Sequence, residues 1–152
     1  MTNLLSRIFL FGIIYLTLTS LKERQKATIS TPITIKNIRN TKGRLSIGVF
    51  KDAKTFDVEK PHKIILVQKK DLTGGTLKTT IELEPGVYGL SILDDENNDH
   101  KMEYNMVGMP KEGFGFSNYY HTGFTKPDFK QFLVNINTKE KDPIVFQIRY
   151  IL

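Results

Sequence analysis

Between Leu93 and Asn105 the chain reads L-D-D-E-N-N-D-H-K-M-E-Y-N, and most of these residues carry a carboxylate or an amide oxygen. Oxygen at this density suits a hard divalent cation. Calcium takes roughly six to eight oxygen ligands, and a loop supplies them by turning alternate side chains inward. Counted from Asp95, the spacing fits: Asp95, Asn97 and Asp99 fall in first, third and fifth place, the carbonyl of Lys101 in seventh and Glu103 in ninth. Two places depart from a complete calcium loop. The sixth, where a glycine makes the sharp turn, is His100, and the twelfth, where a glutamate closes the site, is Met106. A site at residues 94–103 therefore needs a further ligand, from Asp94, Glu112 or water. The same residues also suit a plain turn, because Asn and Asp side chains bond nearby backbone groups and tolerate left-handed conformations. Against a bare turn stands charge: Asp94, Asp95, Glu96, Asp99 and Glu103 repel one another, with Lys101 as the only local relief.

A second candidate stretch follows. Residues 105–127 form a connection rich in glycine and aromatic residues, and long connections of this kind are often functional. Phe114, Phe116, Tyr119 and Tyr120, with Asn118 and His121, make a candidate ligand-binding surface, since rings give large contact area. The alternative is that the rings cover an end of the fold, as a chain without tryptophan must use phenylalanine in its core.

Catalytic signatures are weak. The three histidines are His62, His100 and His121. Ser117, His121 and Asp128 hold the residue types of a triad, but no nucleophile elbow surrounds the serine. The clustered carboxylates are neighbours in sequence rather than partners across a cleft, and no phosphate-binding or dinucleotide fingerprint is present. The expectation is a protein without enzymatic activity. A hydrolase site between loops 94–103 and 105–127 is the alternative, and a purely structural envelope protein is a third reading.

The elements that must position these loops read as strands. From Pro32 onward the apolar period is two: residues 33–38, 44–50, 63–68, 76–83, 87–93, 132–136 and 144–151 alternate or run β-branched, with Gly, Pro, Asn and Asp between them. No amphipathic helical stretch separates them, so an all-β, antiparallel two-sheet sandwich of about seven strands is expected over residues 32–152. One helical turn fits between Asp52 and Lys60.

The N-terminus has a different character. Arg7 is the only charged side chain in residues 1–20, and Ile8–Leu18 is almost wholly apolar. This is the pattern of a secretory signal peptide. As a helix the run spans about 16 Å, short of the ~30 Å hydrocarbon core. An uncleaved anchor through residues 4–18 is the alternative. Residues 21–31 read as a polar lead-in. Without residues 1–27 the net charge falls from +6 to +3, with scattered lysines, which is a solvated surface and not the footprint of a nucleic-acid binder. The chain has no cysteine, which excludes disulfides, thiolate zinc sites and thiol nucleophiles.

Three segments line up in order: I-T-I-K-N-I-R-N-T-K-G-R-L-S-I-G-V-F (33–50), E-P-G-V-Y-G-L-S-I-L-D-D-E-N-N-D (84–99) and G-M-P-K-E-G-F-G-F-S-N (108–118). Together they resemble a bacterial secreted family, domain of unknown function 2141, over residues 33–151. The resemblance implies an exported sandwich of immunoglobulin-like or transthyretin-like Greek-key type, and it implies no activity. The family's acidic pattern, D-x-N-x-N/D-G-x-x-x-D, is similar to the run from Asp95 to Glu103. The resulting expectation is an exported binding or accessory module in the periplasm, cell envelope or extracellular space. Its partner would be a protein or glycan, and Ca2+ would be a supporting ion.

Overall fold

The computed structural model of the protein describes residues 27–138 and 142–151. The expected signal segment, residues 1–20, lies outside them, as does most of the polar lead-in. The described residues contain no helix long and apolar enough to cross a membrane.

Among the described residues, eight strands form two sheets. The first sheet joins β1 (Ile29–Lys36), β4 (Leu77–Leu83) and β8 (Ile144–Gln147) in the order β4-β1-β8. The second joins β2 (Arg44–Phe50), β3 (Lys63–Val67), β5 (Gly86–Asp95), β6 (Gly113–Phe116) and β7 (Leu133–Ile136). Here β3 and β2 lie on one side of β5, and β6 and β7 follow each other along its other edge. A short helix α1 (Ala53–Asp57) starts at Asp52, whose side chain accepts from the amide of Thr55. It occupies the place where one helical turn was expected.

The inward faces alternate as a sandwich requires. Ile33 and Ile35 of β1, Leu77 and Ile81 of β4 and Phe146 of β8 meet Leu45, Ile47 and Val49 of β2 and Leu90 and Ile92 of β5 in one buried cluster. A second cluster lies on the opposite face of the five-stranded sheet. Phe50, Phe56 of α1, Phe116 and Phe132 pack there edge to face, with Phe56 and Phe132 ring centres 5.0 Å apart.

Three features depart from the sequence-based expectation. First, β1 begins at Ile29, inside the segment read as lead-in, because Ile29 pairs with Leu83. Second, the sandwich is not wholly antiparallel, since β1 and β8 run parallel, with Ile33 opposite Ile144. Third, Gly113–Phe116 is a strand within the stretch expected to be irregular. Its period of two is written in glycine and phenylalanine. The glycines face Ile148, Tyr150 and the carbonyl of Gln147, where a Cβ on Gly113 would lie 2.3 Å from the Tyr150 ring. They make room for the chain after β8, which leaves the first sheet and bonds β6 through Phe114 and Arg149.

Ser117 closes the gap between β6 and β7. Its amide donates to the carbonyl of Leu90, and its hydroxyl accepts from the Leu90 amide at 3.1 Å and reaches the Phe132 carbonyl. The side chain is fully buried. Ser117→Ala leaves the Leu90 amide without an acceptor, and a loss of about 1–3 kcal/mol is expected in urea denaturation.

Candidate functional site

The outward face of the five-stranded sheet carries a groove. Its floor follows from the register. Ser46 lies between Leu66 and Leu93, and Gly48 between Ile64 and Ser91. Small side chains here leave a trough where larger ones would stand. The aromatic cluster closes one end through Phe50, Phe56, Phe114 and Phe116. One wall is residues 100–110 and the other residues 121–127, and together they enclose about 490 Å3.

Both walls are built by local hydrogen bonds. In the first, the Asn105 side chain accepts from the amides of Val107 and Met109, and the amide of Lys111 donates to the carbonyl of Glu103. This small hairpin presents Met106 and Val107 to solvent. In the second, the Arg149 guanidinium donates to the carbonyls of His121 and Gly123. Polar groups are sparse and sit at the rim. The Lys126 ammonium pairs with Glu59 at 2.8 Å and lies over the Phe56 ring. The Tyr104 hydroxyl donates to the same carboxylate at 3.4 Å, and burial raises the Tyr104 pKa.

The expected ligand-binding residues divide. Phe114, Phe116 and His121 line the groove. Asn118 does not: in a left-handed conformation, it accepts from the Val145 amide and donates its own amide to the Val145 carbonyl, tying the end of β6 to β8. Tyr119 packs on the aromatic cluster, and Tyr120 is exposed outside the groove. Sequence reasoning missed Ser46, Gly48, Ile64, Ser91 and Tyr104. Their only signal is that the outward positions of β2 and β5 are small where a solvated strand face usually carries long polar side chains. His121 Nε2 meets the carbonyl of Thr125, and Nδ1 has no hydrogen-bond partner. Among the described residues no carboxylate hydrogen-bonds the ring.

The acidic loop lies beside the first wall. Asp95 is fully buried. Its carboxylate accepts from the amides of Asp99 and His100 and from Arg44. Asn97 and Asp99 are exposed and bond each other and the loop amides. The Glu103 carboxylate pairs with Lys111 at 3.5 Å. The expected self-repulsion is relieved from elsewhere in the chain: Asp94 pairs with the buried Lys69, Glu96 with Arg39 at 2.6 Å, and Asp95 with Arg44. Among the described residues no three acidic or histidine side chains converge as a ligand set. His100, in the sixth place, adopts φ +67°, the conformation for which a glycine is usual there.

The family model described as an uncharacterized protein conserved in bacteria (DUF2141) matches residues 33–143. No curated protein and no solved structure matches the chain.

Proposed function

The chain belongs to that bacterial family, and on this premise we propose that it is an exported, non-catalytic binding module whose groove takes an apolar segment of a protein partner. The observation that carries this reading is the groove itself. A volume of about 490 Å3 falls within the range of ligand sites. Exposed apolar side chains extend beyond it: Ile64 and Leu66 along β3, Tyr104, Met106 and Val107 on the hairpin, and Phe124 opposite. Such a surface covers more area than a small molecule needs and is typical of protein contacts. A glycan fits less well, because the floor offers only the hydroxyls of Ser46 and Ser91. Export rests on the apolar run of residues 8–18 behind Arg7.

The test uses the protein purified from cells expressing the full chain, with the neutral dye N-phenyl-1-naphthylamine as an apolar probe. The parent is expected to bind the dye with enhanced fluorescence. The double variant Ser46→Phe, Ser91→Leu fills the trough and is expected to weaken binding at least ~10-fold, equivalent to about 1.4 kcal/mol, with an unchanged circular dichroism spectrum. Equal uptake by parent and variant would remove the groove as the site.

A further inference from the structure

The five-stranded sheet ends at β3, and that end is open. Among the described residues β3 pairs with β2 alone, so one row of its backbone amides and carbonyls has no strand beside it. Natural sheets guard such a row with charged side chains or proline, or cover it. β4, an end strand of the other sheet, is guarded: its exposed side chains are Lys78, Thr80 and Glu82. β3 is not. Its only charge is Lys63 at the first position, and the rest reads I-I-L-V. Ile64 and Leu66 on the outer face are 53% and 46% exposed, and Ile65 and Val67 on the inner face are only half-buried. Both faces and the backbone of one strand are thus left open together, and a further strand laid along it covers all three.

Charge selects the kind of strand. Residues 60–70, K-P-H-K-I-I-L-V-Q-K-K, hold four lysines and no acid. Lys69 is turned inward to Asp94. Lys60, Lys63 and Lys70 are exposed, and among the described residues no carboxylate forms an ion pair with them. Lys63 donates to the Glu82 carbonyl rather than to the Glu82 carboxylate, which accepts from Thr28. Glu59, just before the run, is held by Lys126. The edge is therefore apolar in the middle and positive at both ends. A second copy of the chain suits it poorly. Antiparallel pairing centred on Ile65 brings Lys60 of each copy towards Lys70 of the other, and facing like charges destabilise a strand pair.

We propose that β3 is a docking edge for an extended segment of a partner protein, with alternating apolar residues flanked by Asp or Glu, which joins the sheet as a further strand. Main-chain hydrogen bonds to β3 supply the affinity, and the lysines supply orientation and choice of partner. The outward side chains of the added strand lie beside Ile64, at the border of the groove. The edge is distinct from the trough between Ser46 and Ser91, so this inference stands or falls apart from the groove's occupant.

The test uses the protein purified from cells expressing the full chain and two synthetic peptides with the same rhodamine label, D-D-V-T-V-T-V-D-D and K-K-V-T-V-T-V-K-K. Fluorescence anisotropy is expected to show the acidic peptide bound at least ~10-fold more tightly than the basic one, and more weakly as salt rises. With the acidic peptide bound, the amides of residues 63–67 are expected to exchange hydrogen more slowly. In the double variant Lys60→Glu, Lys70→Glu, where both side chains are exposed, the preference between the peptides is expected to reverse. Ser46→Phe, Ser91→Leu is expected to keep the acidic peptide while losing the dye, which separates the edge from the trough. No binding of the acidic peptide would overturn the docking edge and leave the lysines as guards against self-pairing. Binding without protection of residues 63–67 would overturn it too. A concentration-dependent dimer of the protein alone, with the same amides protected, would put a second copy on the edge and overturn the acidic partner.

Discussion

Lys69→Met is expected to lower the unfolding free energy by about 3–5 kcal/mol, the usual cost of removing one partner of a buried ion pair. Lys69 and Asp94 are both buried, at 4% and 0% exposure. The ammonium pairs with the carboxylate and donates to the carbonyl of Lys42 at 2.6 Å. The Tyr150 hydroxyl donates to the other Asp94 oxygen, and the Arg39 guanidinium stacks on the Tyr150 ring 4.4 Å from its centre. Methionine fills the space of the lysine stem but leaves Asp94 with a single neutral donor. Burial already pushes the Asp94 carboxyl above its ordinary range, and Lys69 is the main group pulling it down. In the variant it rises further. A raised carboxyl favours the folded state while protonated, so the variant's deficit against the parent is full at neutral pH and shrinks as pH falls through the raised pKa. Urea denaturation at two pH values measures this. Lys69→Met with Asp94→Asn removes both charges and is expected to recover part of the loss, and a deficit no smaller than that of the single variant would refute the assignment.

Gly43→Ala has the second large effect, for a steric reason. Gly43 has φ +63°, and a Cβ there would sit 1.9 Å from the carbonyl oxygen of Asp95 and 2.7 Å from the Cα of Glu96. Both obstacles are backbone, so the acidic loop or the start of β2 must move. The expected loss is about 4 kcal/mol or more, above the ordinary range for one substitution. Gly74 is the control. It has a similar φ of +56° but nothing within 4 Å of its Cβ position, so Gly74→Ala is expected to cost only about 1–2 kcal/mol for the left-handed conformation. Equal losses for the two variants in urea denaturation would show that conformation, not contact with the acidic loop, makes Gly43 necessary.

Most of the fold was legible in the sequence, because alternation reports which face of a strand is buried. Seven of the eight strands fall where the period of two placed them. The missing one, Gly113–Phe116, has glycine at its inward positions and therefore shows no apolar alternation. The parallel pairing of β1 with β8 was not legible either, since a strand's own pattern names its buried face and not its neighbour. The site was harder still. The acidic stretch was visible by composition, but its compensating charges, Arg39, Arg44 and Lys69, come from distant turns and strands. The groove is made by what β2 and β5 lack on their outer face, and a missing side chain reads in sequence as an unremarkable Ser or Gly. The aromatic stretch divides between the groove and the packing. Phe114 and Phe116 reach the groove, while Asn118 and Tyr119 serve the packing behind it.

The pairing of β1 with β8 also governs when the molecule can form. Ile33 and Ile144 stand opposite each other, so closing that ladder ties together more than a hundred intervening residues, at an entropic cost paid before any contact rewards it. β1 is the central strand of its sheet and stays half-paired until β8 arrives. Ile144–Gln147 is the last of the described strands in chain order, so synthesis completes this sheet only after the other seven have been made. Folding is then set by long-range pairing and falls among the slow, millisecond-to-second β topologies. That delay leaves β1 with an unpaired edge while the other described strands are being made.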